Sequence, residues 1–262
     1  MQGEKVDLLI FSGQSNMQGS TGEKCCEPPL GNCLEYKVLS DSLAPLVSPV
    51  GEDVGDGLLA ASALGNGSLL PYFCRVYCSD RTRAVAVHAA KGNTRISEWS
   101  EGTERFRAFK EKLLAAVAKV REENIRNVFV VWLQGESDAI AGLSENEYLD
   151  ELIKFKNVIK TLIRINKFAL ISPGYFACYA PWVDKPLAEK RASDERIISA
   201  YRRAPQIDDD FILLTDVCVK LSEQQRYLNP LEYGPHYNNA GMEIIGTAAA
   251  KAIKKYVLSS RK

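Results

Sequence analysis

Histidine is scarce in this chain: His88 and His236 are the only two in 262 residues. A centre of three or more histidines is therefore excluded, and any imidazole chemistry rests on these two positions. Charge of one sign is equally absent, since 33 basic residues face 33 acidic ones. That balance gives no reason to expect nucleic acid or an anionic membrane as partner. A neutral or weakly charged small molecule fits better. No stretch approaches the roughly 18 apolar residues that a bilayer span needs. The apolar segment Val6 to Phe11 is too short for a signal h-region and has no small-residue cleavage site behind it. The expectation is a cytoplasmic protein without a membrane partner. Internal repeats and low-complexity tracts are missing as well, and 262 residues suit a single domain spanning 1–262.

Cysteine is present seven times, an odd number that does not suggest a disulfide framework. Cys25, Cys26 and Cys33 cluster in an expected loop, but no paired C-x-x-C accompanies them, so neither zinc nor any other cofactor is expected. Cys74 and Cys78, one helical turn apart, read as small buried apolar side chains.

Near-continuous apolar runs recur along the chain: Val6–Phe11, Ala84–Val87, Val128–Leu133, Phe168–Ile171 and Phe211–Leu214. Runs of this length suit parallel strands covered on both faces. Amphipathic helical patterns lie between them. Phe106, Phe109, Leu113, Val117 and Val120 make one stripe; Tyr148, Leu152, Phe155, Ile159 and Leu162 make another. Ser144 and Glu147 predict a capping box ahead of the second stripe. A last helix is predicted from about Asn239, with Ile245, Ala249, Ala252 and Tyr256 on one face. Such alternation predicts βαβ crossovers and a parallel sheet with helices on both sides. Residues 19–57, rich in Gly, Pro, Cys and Asp, read as a long irregular excursion with a short strand near Tyr36–Leu39.

In an open parallel sheet, ligands bind beyond the carboxyl ends of the strands. Three such ends are polar and contain glycine: Ser12-Gly13-Gln14-Ser15-Asn16-Met17, His88-Ala89-Ala90-Lys91-Gly92-Asn93-Thr94 and Gln134-Gly135-Glu136-Ser137-Asp138. Pro235-His236-Tyr237-Asn238 precedes the last helix. These segments contain the parts of an acyl-transfer site. A serine hydroxyl needs a base to become a nucleophile, which gives Ser15 and His236 their candidate roles. The oxyanion needs fixed donors, for which the candidates are the Ser15 and Gly92 N–H groups and the side chain of Gln134 or Asn93. Gln14 and Glu136 are further candidates for the substrate-binding rim. His88, at a strand end, is read as a satisfied, partly buried side chain. Glu136 and Asp138 are either solvated acids at a helix start or site residues. Trp99 is either a core anchor or a sugar-stacking wall.

Gly13-Gln14-Ser15-Asn16-Met17, Ala90-Lys91-Gly92-Asn93-Thr94 with Trp99, Trp132-Leu133-Gln134-Gly135-Glu136-Ser137-Asp138 and Gly234-Pro235-His236 together resemble the motif blocks of one group. That group is the sialate O-acetylesterase and carbohydrate esterase family 6 branch of the SGNH hydrolases, which includes acetylxylan esterases. The resemblance spans most of the chain, in order. It implies a flavodoxin-like three-layer α/β/α sandwich around a central parallel sheet. It also implies metal-free hydrolysis of O-acetyl esters on sialic acid, xylan or related sugars. By position, Ser15 falls on the nucleophile, His236 on the base, and Gly92 and Gln134 on oxyanion positions. The family pattern carries Asp three residues before the histidine, whereas this chain has Tyr233 there. Glu232 and Glu136 are the candidates to orient His236 instead. Tyr233 also motivates a rival expectation, a non-catalytic acetyl-sugar-binding protein. The wider superfamily adds another, a lipid or thioester acyl hydrolase.

Overall fold

The computed structural model describes residues 5–25, 30–63, 66–79, 82–230 and 234–260. Seven strands form one sheet: β1 (Val6–Gly13), β2 (Leu30–Lys37), β3 (Ser42–Leu46), β4 (Ala84–Ala90), β5 (Ile125–Leu133), β6 (Lys167–Ile171) and β7 (Phe211–Thr215). Their spatial order is β3-β2-β4-β1-β5-β6-β7. Only β3 runs antiparallel to its neighbour.

The expected period of two is visible in the core. Leu8, Ile10, Val85, Val87, Val130, Trp132, Phe168 and Leu170 point to one face, against α3 (Glu104–Val120), α5 (Glu145–Leu162) and α6 (Leu187–Ile207). Leu9, Phe11, Ala86, Phe129, Val131, Ala169 and Ile171 point to the other, against α2 (Leu69–Tyr77) and α8 (Asn239–Ser259). Both faces are dry, so the strands read as unbroken apolar runs. This is a three-layer α/β/α arrangement, as the sequence predicts. The capping box at α5 is present, with Ser144 Oγ accepting from Glu147 N at 3.3 Å.

Residues 19–57 are less irregular than expected, because β2 and β3 form an antiparallel pair that extends the sheet beyond β4. Gly31, Asn32 and Pro45 interrupt the alternation that would have marked these strands. Cys33 accordingly lies buried on β2 rather than in a loop. Cys26 lies outside the described residues. Cys74 is buried in α2, and Cys78, also buried, caps its end. Helix α6 carries no strong apolar stripe: it buries only one strip around Ile197, Ile198 and Tyr201 and contains Pro205. Among the described residues, no helix is long and apolar enough to cross a membrane.

After β1 the chain passes to β2 and β3 and returns through α2, on one side of the sheet, to β4; after β4 it crosses through α3, on the other side, to β5. The reversal opens a crevice at the carboxyl ends of β1 and β5, where such folds seat their ligands.

Candidate active site

Strand β1 ends at Gly13 and the chain turns at once into α1 (Ser15–Gln18), a single turn of helix that starts at Ser15. Gln14 N donates to Leu133 O at 3.0 Å, tying the turn to the end of β5. The Gln14 side chain extends the tie: its Oε1 accepts from Gln134 Nε2 at 3.1 Å, Gly135 N at 3.1 Å and Ser137 N at 3.3 Å.

Ser15 is 8% exposed, and its Oγ lies 2.9 Å from His236 Nε2. These residues are 221 positions apart in the chain. With the ring proton on Nδ1, the hydroxyl donates to Nε2, the geometry a general base requires. Asn16 helps explain the proximity. Its Nδ2 donates to Glu136 Oε1 at 2.9 Å, and its Oδ1 accepts from Tyr237 N at 3.4 Å. One side chain next to Ser15 thus holds both the segment after β5 and the segment that carries His236. Asn229 N donates to His236 O at 2.8 Å, and the Phe176 ring stands edge-on to the imidazole at 5.3 Å.

Ser15 and His236 face a cavity of about 470 Å³, with Gln14, Gln18, Gly92, Asn93, Ser137, Phe176 and Trp182 also on its walls. Asn93 is exposed there, in a left-handed backbone conformation (φ 56°) that asparagine tolerates well. Gly92 passes so close that a Cβ would sit 3.2 Å from Ser15 Cβ. Its N–H donates to Gln18 Oε1 at 2.6 Å, so the donor is engaged in this structure. The Ser15 N–H has no acceptor among the described residues.

Gln134, expected at an oxyanion position, does not reach the cavity. It is fully buried, and its Nε2 donates to Thr94 O at 2.7 Å, Asp138 Oδ2 at 2.6 Å and Gln14 Oε1 at 3.1 Å. Its Oε1 accepts from the Tyr148 hydroxyl at 2.9 Å. An amide enclosed by four partners cannot turn to a substrate without breaking them. Of the two side chains left open by the sequence, Asn93 is the one on the cavity wall.

Glu136 and Asp138 are buried, not solvated. Burial pushes Asp138 up to about 6, against the hydrogen bonds from Gln134 and Ile96 N. Burial likewise pushes Glu136 up to about 7, against the hydrogen bond from Asn16. Glu136 is the nominated orienting acid that the structure does not place on His236: its side-chain partner is Asn16, and Oε2 has none among the described residues. The other nominee, Glu232, lies outside the described residues together with Tyr233.

His88 is 1% exposed, with Nε2 3.1 Å from Gln18 O. Burial first, then the Lys112 charge, lowers it to about 3, so it stays neutral and packed. Trp99 is a core anchor: it is 0% exposed, donates to Thr94 Oγ1 at 3.2 Å and meets Trp132 edge-to-face at 5.5 Å. Sequence reasoning missed Gln18, Phe176 and Trp182, and it quoted Asn16 without a role. The strand-end test that singled out Ser15 also applies to Ser172-Pro173-Gly174 after β6, the segment that leads to Phe176 and Trp182. Among the described residues, no three His, Cys, Asp or Glu side chains converge closely enough to hold a metal ion.

A family model described as carbohydrate esterase, sialic acid-specific acetylesterase, matches residues 5–185. No curated protein matches the chain in sequence. Among solved structures, a protein from Arabidopsis thaliana is similar at TM-score 0.70 and 14% identity, covering 96% of this chain and 98% of the other. NanS is similar at TM-score 0.69 and 13% identity, covering 98% of each chain. Axe2, an acetylxylan esterase from Geobacillus stearothermophilus, is similar at TM-score 0.55 and 13% identity, covering 97% of this chain and 96% of that one. At these identities the structural likeness speaks for the fold.

Proposed function

The chain belongs to the carbohydrate esterase family described as sialic acid-specific acetylesterase, and from that premise we propose that it removes O-acetyl groups from carbohydrates of the sialic acid or xylan type through an acyl-enzyme on Ser15. As a carbohydrate esterase it is a carboxylic ester hydrolase. The observation that carries the serine mechanism is the 2.9 Å approach of Ser15 Oγ to His236 Nε2 at the wall of an open cavity.

In the proposed cycle, His236 Nε2 takes the hydroxyl proton as Ser15 Oγ attacks the ester carbonyl carbon. The Ser15 N–H and the Asn93 side-chain amide receive the oxyanion. Collapse breaks the bond to the sugar oxygen, which leaves with the proton from Nε2. Water then gives a proton to Nε2 and attacks the acetyl group; acetate departs and Ser15 regains its hydrogen. Gly92 N–H joins as a third donor once Gln18 turns away. Gln14, Gln134 and Asp138 act behind the nucleophile, holding the β1–α1 turn against the end of β5.

Hydrolysis of p-nitrophenyl acetate by wild type and Ser15→Ala tests this reading. The expected loss is at least about 10³-fold in kcat. Equal rates in the two proteins would remove the mechanism. Treatment with an organophosphate should add one adduct to Ser15, seen by mass spectrometry. Binding of an acetylated sugar with neither turnover nor adduct would mark a sugar-binding protein instead. A chain-length series of p-nitrophenyl esters should peak at acetate, and a peak at octanoate would mark a lipid acyl hydrolase.

A further inference from the structure

We propose that Trp182 is the platform on which the sugar ring of the ester lies, so that this one side chain sets the preference for a carbohydrate ester over a simple alkyl ester. The inference rests on the esterase reading of Ser15 and His236.

The three tryptophans of the chain have different surroundings. Trp99 and Trp132 are 0% exposed, whereas Trp182 is 58% exposed. Leaving an indole in water forgoes about 2 kcal/mol or more of burial. A purely structural tryptophan would be expected deeper in the core. Trp182 instead lines the cavity shared by Ser15 and His236.

The ring is also held in place. Phe176 stands edge-on to Trp182 at 6.3 Å and edge-on to His236 at 5.3 Å, so one aromatic side chain spaces the platform from the base. Gly234 lies under the indole: a Cβ there would sit 2.7 Å from Trp182 Cη2, and its φ of 79° already favours glycine. The indole therefore packs on bare backbone two residues before His236. The segment leading to it is fastened to α6, where the buried Asp194 accepts from Ala177 N and Cys178 N, both at 3.0 Å. A wall fixed before the ligand arrives loses little entropy on binding.

The rest of the lining offers a sugar ring both apolar and polar contacts. A pyranose presents a flat C–H face and a rim of hydroxyl groups. The cavity offers one exposed aromatic face and, elsewhere on its walls, Gln18, Ser20, Asn93 and Ser137 as hydrogen-bonding partners.

The test compares two esters that share the acetyl group: methyl 2-O-acetyl-β-xylopyranoside and ethyl acetate. Initial rates by pH-stat are taken for wild type, Trp182→Ala and Trp182→Phe. In Trp182→Ala the ratio of kcat/KM for the sugar ester to that for ethyl acetate should fall about tenfold or more, mainly through KM. Trp182→Phe should recover most of that ratio, since a flat ring remains. A ratio that stays within about twofold of wild type, or a ratio that Phe fails to recover, overturns the proposal. Calorimetric binding of the sugar ester to Ser15→Ala, with and without Trp182→Ala, tests the platform without turnover. About tenfold weaker binding in the double variant is expected, and equal affinities overturn the proposal. Wild type that binds the sugar ester but hydrolyses neither substrate would overturn the esterase reading and leave the platform standing.

Discussion

The two ends of the sheet hold a buried carboxylate in opposite ways. At the amino end, Asp7 on β1 is fully buried and richly partnered. Arg126 donates to both its oxygens at 2.9 and 2.6 Å, Asn127 donates at 2.7 Å and the Tyr77 hydroxyl at 2.8 Å. At the carboxyl end, Glu136 is equally buried but has only Asn16 as a side-chain partner, and one oxygen is unpartnered among the described residues. A hollow of about 330 Å³ lies at the amino end too, between Leu114, Val117, Ile125 and Leu162, but it holds no serine or histidine. The difference teaches where the fold is closed and where it is open. The amino end satisfies its charge and serves stability. The carboxyl end leaves one Glu136 oxygen unpartnered among the described residues and holds Ser15 beside His236 at a cavity wall.

The contrast breaks most readily at Asp7. Arg126→Met should destabilise the protein by about 3–5 kcal/mol, because it leaves a buried carboxylate without its cation. Urea unfolding measures this. Turnover of p-nitrophenyl acetate by the folded fraction should stay at the wild-type level, since the site lies at the opposite end. A loss below about 1 kcal/mol would show that Asp7 does not depend on its partner.

Glu136 should respond in the other direction. Its value of about 7 lies above the ordinary 4.5, so the folded state holds this proton more tightly than the unfolded chain does. Its contribution is therefore fully present below about pH 4.5 and is lost as pH rises through 7. Glu136→Gln stays neutral and escapes that loss. Relative to wild type, the variant should gain about 3 kcal/mol on going from pH 4.5 to pH 8, read from urea midpoints across that range. A flat difference would mean that Glu136 is ionised and paired after all.

Gln134 sharpens the comparison with a smaller effect. Gln134→Leu removes donors from Asp138 and Gln14 and an acceptor from Tyr148, at a cost of about 2 kcal/mol. Because Gln14 precedes Ser15, the proposed nucleophile, kcat on p-nitrophenyl acetate should fall about tenfold with KM little changed. A rise in KM alone would place Gln134 in substrate contact rather than behind the turn.

Much of this was legible in the residues. The five apolar runs predicted β1, β4, β5, β6 and β7 to within a few positions, because strands buried on both faces leave no room for polar side chains. The meeting of the Ser15 and His236 segments at one sheet edge was legible because a polar, glycine-containing segment follows a strand or precedes a helix. Strands β2 and β3 were hidden by Gly31, Asn32 and Pro45, and α6 by its thin apolar stripe. The two tryptophans show the harder case. Trp99 sits in a motif and is core; Trp182 sits in none and lines the cavity.

The order of apolar runs by itself determined the layers, the sheet and the edge at which polar loops gather, since periodicity and burial follow from neighbours along the chain. Only the tertiary structure decided which polar groups face the cavity and which face one another. Gln134 and Asn93 both end in an amide near a strand end, yet one is enclosed by Thr94, Asp138, Gln14 and Tyr148 and the other is exposed. That outcome depends in part on contacts with Thr94 and Gln14, 40 and 120 residues away in the chain, and a local pattern carries no record of them.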